Sequence, residues 1–327
     1  MTTPSYAAGV DTAEGQLSAA AGPRGFAASS RSAGRVARDS RARSVLATYP
    51  HWFYLPAALV FGLFFVVPTI LSFYFSLTRW TLFESEFIGL DNFAEFLGDD
   101  RLTLGLRNTI VYAVMTSGLK VLIALPLAVL LTSRIRLKTL FRGIVFFPVL
   151  VSTVAVGITF AVLMQPSTGL IDTALGALNL PQPEWLGNPD IALYSVALVD
   201  VWKGIGIAMV IFIAGIMSIP EEYFDAARLE GGAWVRFRHV ILPLSRNASF
   251  AVILLSFIGG LRTFDLIWTM THGGPGFASD VLTSVIYKEY QAGFYGLSTA
   301  GNVVLFILVA IIVYPLMRFF NRRELDL

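Results

Sequence analysis

Long apolar stretches separated by short polar ones set the pattern of this 327-residue chain. A bilayer crossing needs roughly 20 mostly apolar residues. Six runs meet that length, at about 53–77, 108–132, 143–165, 191–219, 247–271 and 297–320. Each is expected to be helical, because a backbone in hydrocarbon must satisfy its own hydrogen bonds. Pro56, Pro68, Pro126 and Pro148 fall inside these runs, which membrane helices tolerate better than soluble ones. The pattern predicts an all-α integral membrane protein with six transmembrane helices.

One polar connection differs from the rest. Ile219–Leu244 is charge-dense and helix-forming between two apolar runs. Ser218 and Glu221 have the spacing of a capping box, with Pro220 inside the tolerated first turn. A helix is predicted over 220–230. Gly231-Gly232 would reverse the chain, since glycine takes positive φ cheaply. A second short helix is expected over Ala233–His239, ended by Pro243. Ala226, Ala227 and Ala233 would leave room for a partner to approach. Glu222, Asp225 and Arg236 are among the charges that could set its register. The competing reading is a solvated connection, because charge runs are usually solvated faces.

Composition sharpens the class. The chain is 55% hydrophobic and 14% charged, with mean hydropathy +0.68, against about 25% charged residues in soluble domains. Residues 1–48, rich in Ala, Gly, Ser and Arg, are expected to be a disordered basic tail ahead of one domain over 49–327. No apolar core follows the tail's basic residues before Tyr49, so it does not read as a cleavable signal peptide. The absence of cysteine excludes disulfides and thiolate chemistry. His51, His239 and His272 are too scattered for a histidine metal site.

Charge distribution gives orientation. Arginines and a lysine gather in the tail (Arg24 to Arg43), after the second run (Arg134 to Arg142), after the fourth (Arg228 to Arg246) and at the C-terminal end. The other side carries only Arg79, Arg101, Arg107 and Lys288. The positive-inside rule places both termini and the 219–246 loop in the cytoplasm. On the outer side, residues 78–107 are acidic, 166–190 hold prolines and no Lys or Arg, and His272-Gly-Gly-Pro-Gly276 is a turn signal.

No G-x-x-x-x-G-K-[ST] stretch exists to cradle phosphates. No dinucleotide fingerprint is completed, and no acid/base or nucleophile set converges in a soluble domain. The chain is therefore not expected to be an enzyme, and any ATPase must act in trans. Five ionisable residues lie within the spans: Lys120, Asp200, Lys203, Arg262 and Asp265. Each costs at least about 2.5–3.5 kcal/mol at the bilayer centre. Asp200/Lys203 and Arg262/Asp265 have i,i+3 spacing and could each share a helix face. They read either as a polar path for substrate hydroxyls or as ion pairs that fix packing; Lys120 reads as a structural charge or a partner-subunit contact. Trp202, Phe264 and Trp268 beside them suit a carbohydrate, though such residues are also common interface anchors. Gly204, Gly206, Gly215, Gly259 and Gly260 would permit close helix approach.

Two motifs carry a family resemblance. Asp225-Ala-Ala-Arg-Leu-Glu-Gly231 followed by Val240-Ile-Leu-Pro243 resembles the EAA…G…I-x-LP loop of ABC importer permeases. Asp225 stands where that family has Glu, and the spacing after Gly231 is one residue shorter than usual. Phe264-Asp-Leu-Ile-Trp-Thr-Met-Thr-His-Gly-Gly-Pro275 is similar to the signature of carbohydrate-type permeases, in the first-permease subgroup of maltose and glycerol-phosphate type. Ile88-Gly-Leu-Asp-Asn-Phe93, Leu106-Arg-Asn-Thr109 and Trp202-Lys203 extend the likeness over roughly 50–320.

The resemblance implies a type I ABC importer permease fold, with six spans and a cytoplasmic coupling-helix loop, in a bacterial inner membrane. It implies a pore shared with a second permease, two ATP-binding subunits and an extracytoplasmic sugar-binding protein. No cofactor is implied on this chain, because ATP and Mg would be used by the partner ATPase; the lipid bilayer is its surroundings, and no nucleic acid is expected. Glu222, Asp225, Ala226, Ala227, Gly231, Arg236 and Pro243 would couple to the ATPase. Trp202, Lys203, Phe264, Asp265 and Trp268 would line the substrate path. Two other readings stay open: a self-contained ion-coupled carrier with Asp200 and Asp265 as proton sites, and a membrane scaffold or receptor. The substrate itself is not legible.

Overall fold

A computed structural model describes residues 51–81, 83–133 and 135–324. The expected tail over 1–48 lies outside the described residues. The chain divides into two compact units, Met1–Phe65 and Val66–Leu327. In the first, a 3₁₀ turn at His51–Tyr54 leads into α1 (Leu55–Phe61), where Phe61 stacks on Phe65 with ring centroids 4.9 Å apart.

The second unit opens with α2 (Val67–Phe75) and a two-stranded antiparallel hairpin, β1 (Thr78–Trp80) and β2 (Ser85–Phe87), paired Thr78↔Phe87 to Trp80↔Ser85. This hairpin departs from the all-α expectation. α3 (Asp91–Gly98) covers the amphipathic stretch that follows. α4 (Asp100–Thr132) is longer than the apolar run it contains, because its polar first turns continue the helix beyond the apolar window. Asp99 accepts a hydrogen bond from the Arg101 amide at 2.7 Å and caps its start.

Four helices among the described residues are long and apolar enough to cross a membrane: Trp52–Phe75, Asp100–Thr132, Ala192–Met217 (α8) and Tyr295–Arg318, the apolar part of α14 (Tyr295–Glu324). The count rises to six if each of two bent pairs is one span. Here the structure corrects the expected continuous runs. The run at 143–165 is two helices, α5 (Lys138–Leu150) and α6 (Thr153–Leu163), which meet at 97°. Pro148 has no amide to donate and its ring crowds the carbonyl one turn back, and Val151 and Ser152 then adopt extended ψ of 140° and 134°. A short helix, α7 (Leu170–Ala177), precedes α8.

The run at 247–271 is also divided. α11 (Arg246–Leu261) stops at Arg262, and α12 (Asp265–Met270) starts afresh. Gly259-Gly260 lower the helix propensity there, and Asp265 suits the positive end of a new helix. α13 (Leu282–Gln291) follows an irregular loop. α4 packs along α8 and α11, α6 against α12, and α13 against α14. One apolar core lies between α4, α8 and α11, and a second between the opposite ends of α4 and α8 with α6 and α12. Small residues permit this: a methyl group added at Gly206 would lie 2.7 Å from the Val145 carbonyl oxygen, and one at Gly260 2.6 Å from the Ala113 Cα. Gly259, by contrast, faces open space.

Candidate functional site

Residues 219–244 fold as α9 (Glu221–Glu230), a two-glycine joint, and α10 (Ala233–Leu244), which bends by 64° into α11. The capping box does not form. The Ser218 hydroxyl donates to the Gly215 carbonyl at 2.8 Å, closing α8, and Pro220 takes the N-cap position of α9 without a side-chain hydrogen bond. Nor do the glycines take positive φ: Gly231 is extended at φ 174° and Gly232 has φ −81°. Gly231 is needed for space, since a methyl group there would meet Val235 Cγ2 at 2.6 Å. Pro243 does not end the second helix either. The turn Arg236–Ile241 widens to π-helical form just before it, which accommodates the missing proline amide, and the chain turns only at buried Ser245.

The two faces of this pair differ. Ala227 is buried with Ile219, Val240 and Phe224 in a small apolar core, so it holds α9 to α10 and does not face outward as expected. Glu222, Asp225, Ala226 and Gly231 are exposed. Leu229 and Trp234 are 91% and 71% exposed, and Tyr223 of α9 is exposed as well. Arg228 pairs with Asp225 on the exposed face at 2.5 Å. Arg236, Glu221 and Arg228 line a cleft of about 570 Å³ against the end of α4.

The intramembrane charges pair differently from their spacing. Asp200 is held by Lys120 of α4, Nζ to Oδ2 at 2.7 Å, and not by Lys203. Lys120 is 7% exposed. It reaches Asp200 through a notch one turn further along α8: a methyl group at Gly204 would lie 2.7 Å from Lys120 Cε. Arg262 and Asp265 share no helix face, because the chain breaks between them. Both are exposed, and neither they nor Lys203 have an ion-pair partner among the described residues. Asp200 is therefore a compensated structural charge, while Asp265 and Arg262 are free to meet something else.

Aromatic rings converge beside the α11–α12 break. Phe264 stacks on Trp268 at 5.6 Å, and Tyr287 of α13 sits edge-on to both, at 5.2 and 4.9 Å. Trp202 lies apart from this group, against Phe160 of α6 at 5.1 Å. Sequence reading missed Tyr287, Tyr290 and Asn302, because no short motif ties them to Phe264.

The loop after α12 is clamped from α4. Asn108 Nδ2 donates to the carbonyls of Ala278 and Asp280, at 2.9 and 2.8 Å, and Thr109 Oγ1 accepts from the Leu282 amide at 2.7 Å. Asn92 likewise secures the hairpin through the Ser76 and Thr78 carbonyls. Gly273, at φ +82°, passes so close to Asp280 that no side chain would fit. Asp280 is 1% exposed, with Oδ1 accepting from Ser284 at 2.8 Å and Oδ2 from Lys288 at 2.6 Å. Burial pushes its carboxyl above the ordinary range, and the bonds from Lys288 and Ser284 oppose that rise.

Comparison with known proteins agrees with these motifs. Residues 120–325 match the family described as "Binding-protein-dependent transport system inner membrane component". The probable ABC transporter permease protein YurN of Bacillus subtilis is 33% identical over 280 residues, 83% of this chain and 96% of that one. The trehalose/maltose transport system permease protein MalF of Thermococcus litoralis is 30% identical, covering 78% of this chain and 88% of its own. The sn-glycerol-3-phosphate transport system permease protein UgpA of Yersinia pestis is 30% identical, covering 84% and 94%. A chain of a bacterial alginate ABC transporter, solved with an alginate pentasaccharide-bound periplasmic protein, shares the fold at TM-score 0.73 and 20% identity, over 88% of this chain and 96% of that one. Nothing in these likenesses supports a self-contained carrier. With a family match over most of its length and relatives aligned almost end to end, the chain belongs to the inner membrane components of binding-protein-dependent transport systems: it is an integral membrane transport subunit and not an enzyme.

Proposed function

We propose that the chain is one permease half of an ATP-driven sugar importer and that α9 and α10 are its coupling element. The observation that carries this is the exposed helix pair bearing Asp225-Ala-Ala…Gly231…Val-Ile-Leu-Pro243. It presents Leu229 and Trp234 to solvent where a self-sufficient loop would bury them. In this reading α5–α6 make one crossing and α11 another, giving six with the four long helices, and the basic segments put both termini and α9–α10 in the cytoplasm. Two ATP-binding subunits would receive α9 and supply ATP and Mg chemistry in trans, a second permease would complete the pore, and a binding protein would deliver substrate outside.

Glu222, Asp225, Ala226, Gly231 and Arg236 offer the docking surface. Ala227 and Pro243 act one step back, holding α9 on α10 and shaping the bend into α11. ATP-driven closure of the ATPases would draw α9 inward, and α10 would carry that displacement to the pore helices. Phe264, Asp265 and Trp268 would form one stretch of the substrate path and Trp202 with Lys203 a separate one, because unpaired charges beside aromatic rings match a sugar's hydroxyls and its C–H faces. The trehalose/maltose and glycerol-phosphate relatives support polyhydroxylated cargo.

The test is purification of tagged chain in mild detergent, followed by uptake assays in liposomes. An ATPase and a second permease should co-purify, and uptake of labelled maltose or trehalose should need both ATP and the binding protein. Uptake by this chain alone, or purification without partners, would overturn the reading.

A further inference from the structure

Beside the α11–α12 break lies an open cleft of about 300 Å³ that the substrate path does not use, except through Phe264. Phe264, Ile286, Tyr287 and Tyr290 line it together with Ser298 and Asn302 of α14. Tyr290 is 56% exposed and Tyr287 36%. The two rings are stacked at 6.5 Å, and Tyr287 also meets Phe264 edge-on. Neither tyrosine hydroxyl has a partner among the described residues. Asn302 uses its Nδ2 on the Ser298 carbonyl at 3.3 Å, which leaves its amide oxygen open as an acceptor.

We propose that this cleft is a second sugar subsite, at the outer mouth of the path, for a single pyranose ring. The inference rests on the sugar-importer reading above. A lipid tail or an apolar helix laid over the cleft would leave two hydroxyls and an amide oxygen unpaired, at about 1–3 kcal/mol each. A sugar ring satisfies both kinds of surface: its C–H face lies on an aromatic ring, and its edge hydroxyls meet the tyrosine hydroxyls and the Asn302 oxygen. The volume is at the small end of ligand pockets, which run from roughly 300 to 1,000 Å³, so it accommodates one ring. Because Phe264 belongs to both sites and stacks on Trp268, a sugar leaving the cleft passes directly onto the path.

The test uses the assembled importer in liposomes, with its binding protein, and ¹⁴C-maltose and ¹⁴C-trehalose as probes. Tyr290→Leu removes the ring face and keeps apolar bulk; Asn302→Leu removes the acceptor; Tyr290→Phe removes only the hydroxyl. Tyr314→Leu, exposed elsewhere on α14, is the control and should transport as the wild type does. Tyr290→Leu and Asn302→Leu should each lower the maximal uptake rate about tenfold, while Tyr290→Phe loses about threefold. The second permease should co-purify in wild-type proportion with all of them. Rates within twofold of wild type for both leucine variants overturn the subsite and leave the importer reading intact. Loss of the second permease from the purified complex overturns it too, by making the cleft a subunit contact. A wild type inert toward both sugars overturns the subsite for these pyranoses.

Discussion

Replacing Lys120 by Met isolates what the pair with Asp200 contributes. The Lys120 side chain is 9% exposed and that of Asp200 22%, with Nζ and Oδ2 2.7 Å apart. Breaking a buried pair by removing one partner costs about 3–5 kcal/mol. Asp200 keeps some contact with its surroundings, so the lower end, about 3 kcal/mol, applies to Lys120→Met. Asp200→Val leaves the more buried lysine unpaired and should cost about 4 kcal/mol. At roughly 2 °C per kcal/mol for a large domain, the melting temperature of the detergent-solubilised protein should fall by about 6–8 °C. The double variant Lys120→Met/Asp200→Val should recover to near wild type, since two apolar groups replace a compensated pair. Gly204→Ala adds a sharper arm. Its methyl group would meet Lys120 Cε at 2.7 Å and push the lysine off Asp200, a cost of about 1–2 kcal/mol. In a Lys120→Ala background the same substitution should become neutral or stabilising, because alanine favours helix over glycine by about 1 kcal/mol. Additive losses in the double variant, or an unchanged Gly204→Ala cost without the lysine, would refute the assignment.

Further predictions concern the outer clamp and the helix pair. Lys288→Met leaves the Asp280 carboxylate buried beside only Ser284. The loss should be about 2–3 kcal/mol, below that of a fully buried pair because Lys288 retains water. A carboxyl whose folded pKa is raised binds protons more readily folded than unfolded, so stability falls as pH rises from the unfolded value of 3.8 through the folded one. Removing Lys288 extends that window upward, so melting curves should show a larger loss at pH 7.5 than at pH 5; equal losses at both contradict it. Asn108→Ala frees two carbonyls of the outer loop and should cost about 2 kcal/mol, read as faster amide exchange over 276–282. Ala226→Glu, on the exposed face of α9, should abolish uptake and co-purification of the ATPase without lowering the melting temperature. Ala227→Glu should lower the melting temperature itself by burying a charge against Val240.

The six apolar runs and the helical character of 219–244 were legible because both rest on local pattern. The breaks at Val151–Ser152 and Arg262–Phe264 were not, since a hydropathy window measures length and apolarity and is blind to direction. Pro148 and Gly259-Gly260 were visible, but membrane helices often run through such residues, as α4 does through Pro126. Pairing was the least legible feature. Spacing on one helix suggested Lys203 for Asp200, while the actual partner comes from another helix and is admitted by a glycine whose role shows only in three dimensions. The Asn108 clamp on 278–280 is similarly remote in sequence, so its motif marked a resemblance without disclosing a task.

The Lys120–Asp200 contact also constrains how the pore can move. A helix rises about 1.5 Å per residue, so sliding α4 past α8 by even one or two residues would pull a 2.7 Å contact apart in a medium that penalises the separated charges. The lysine runs through the notch at Gly204, where a methyl group would lie 2.7 Å from its Cε. The two helices are keyed to each other like a shaft and hub. If the proposed coupling through α10 holds, a displacement would be taken up where the helices break, at Ser245, at Val151–Ser152 and at Arg262–Phe264, and the α4–α8 pair would move as one body.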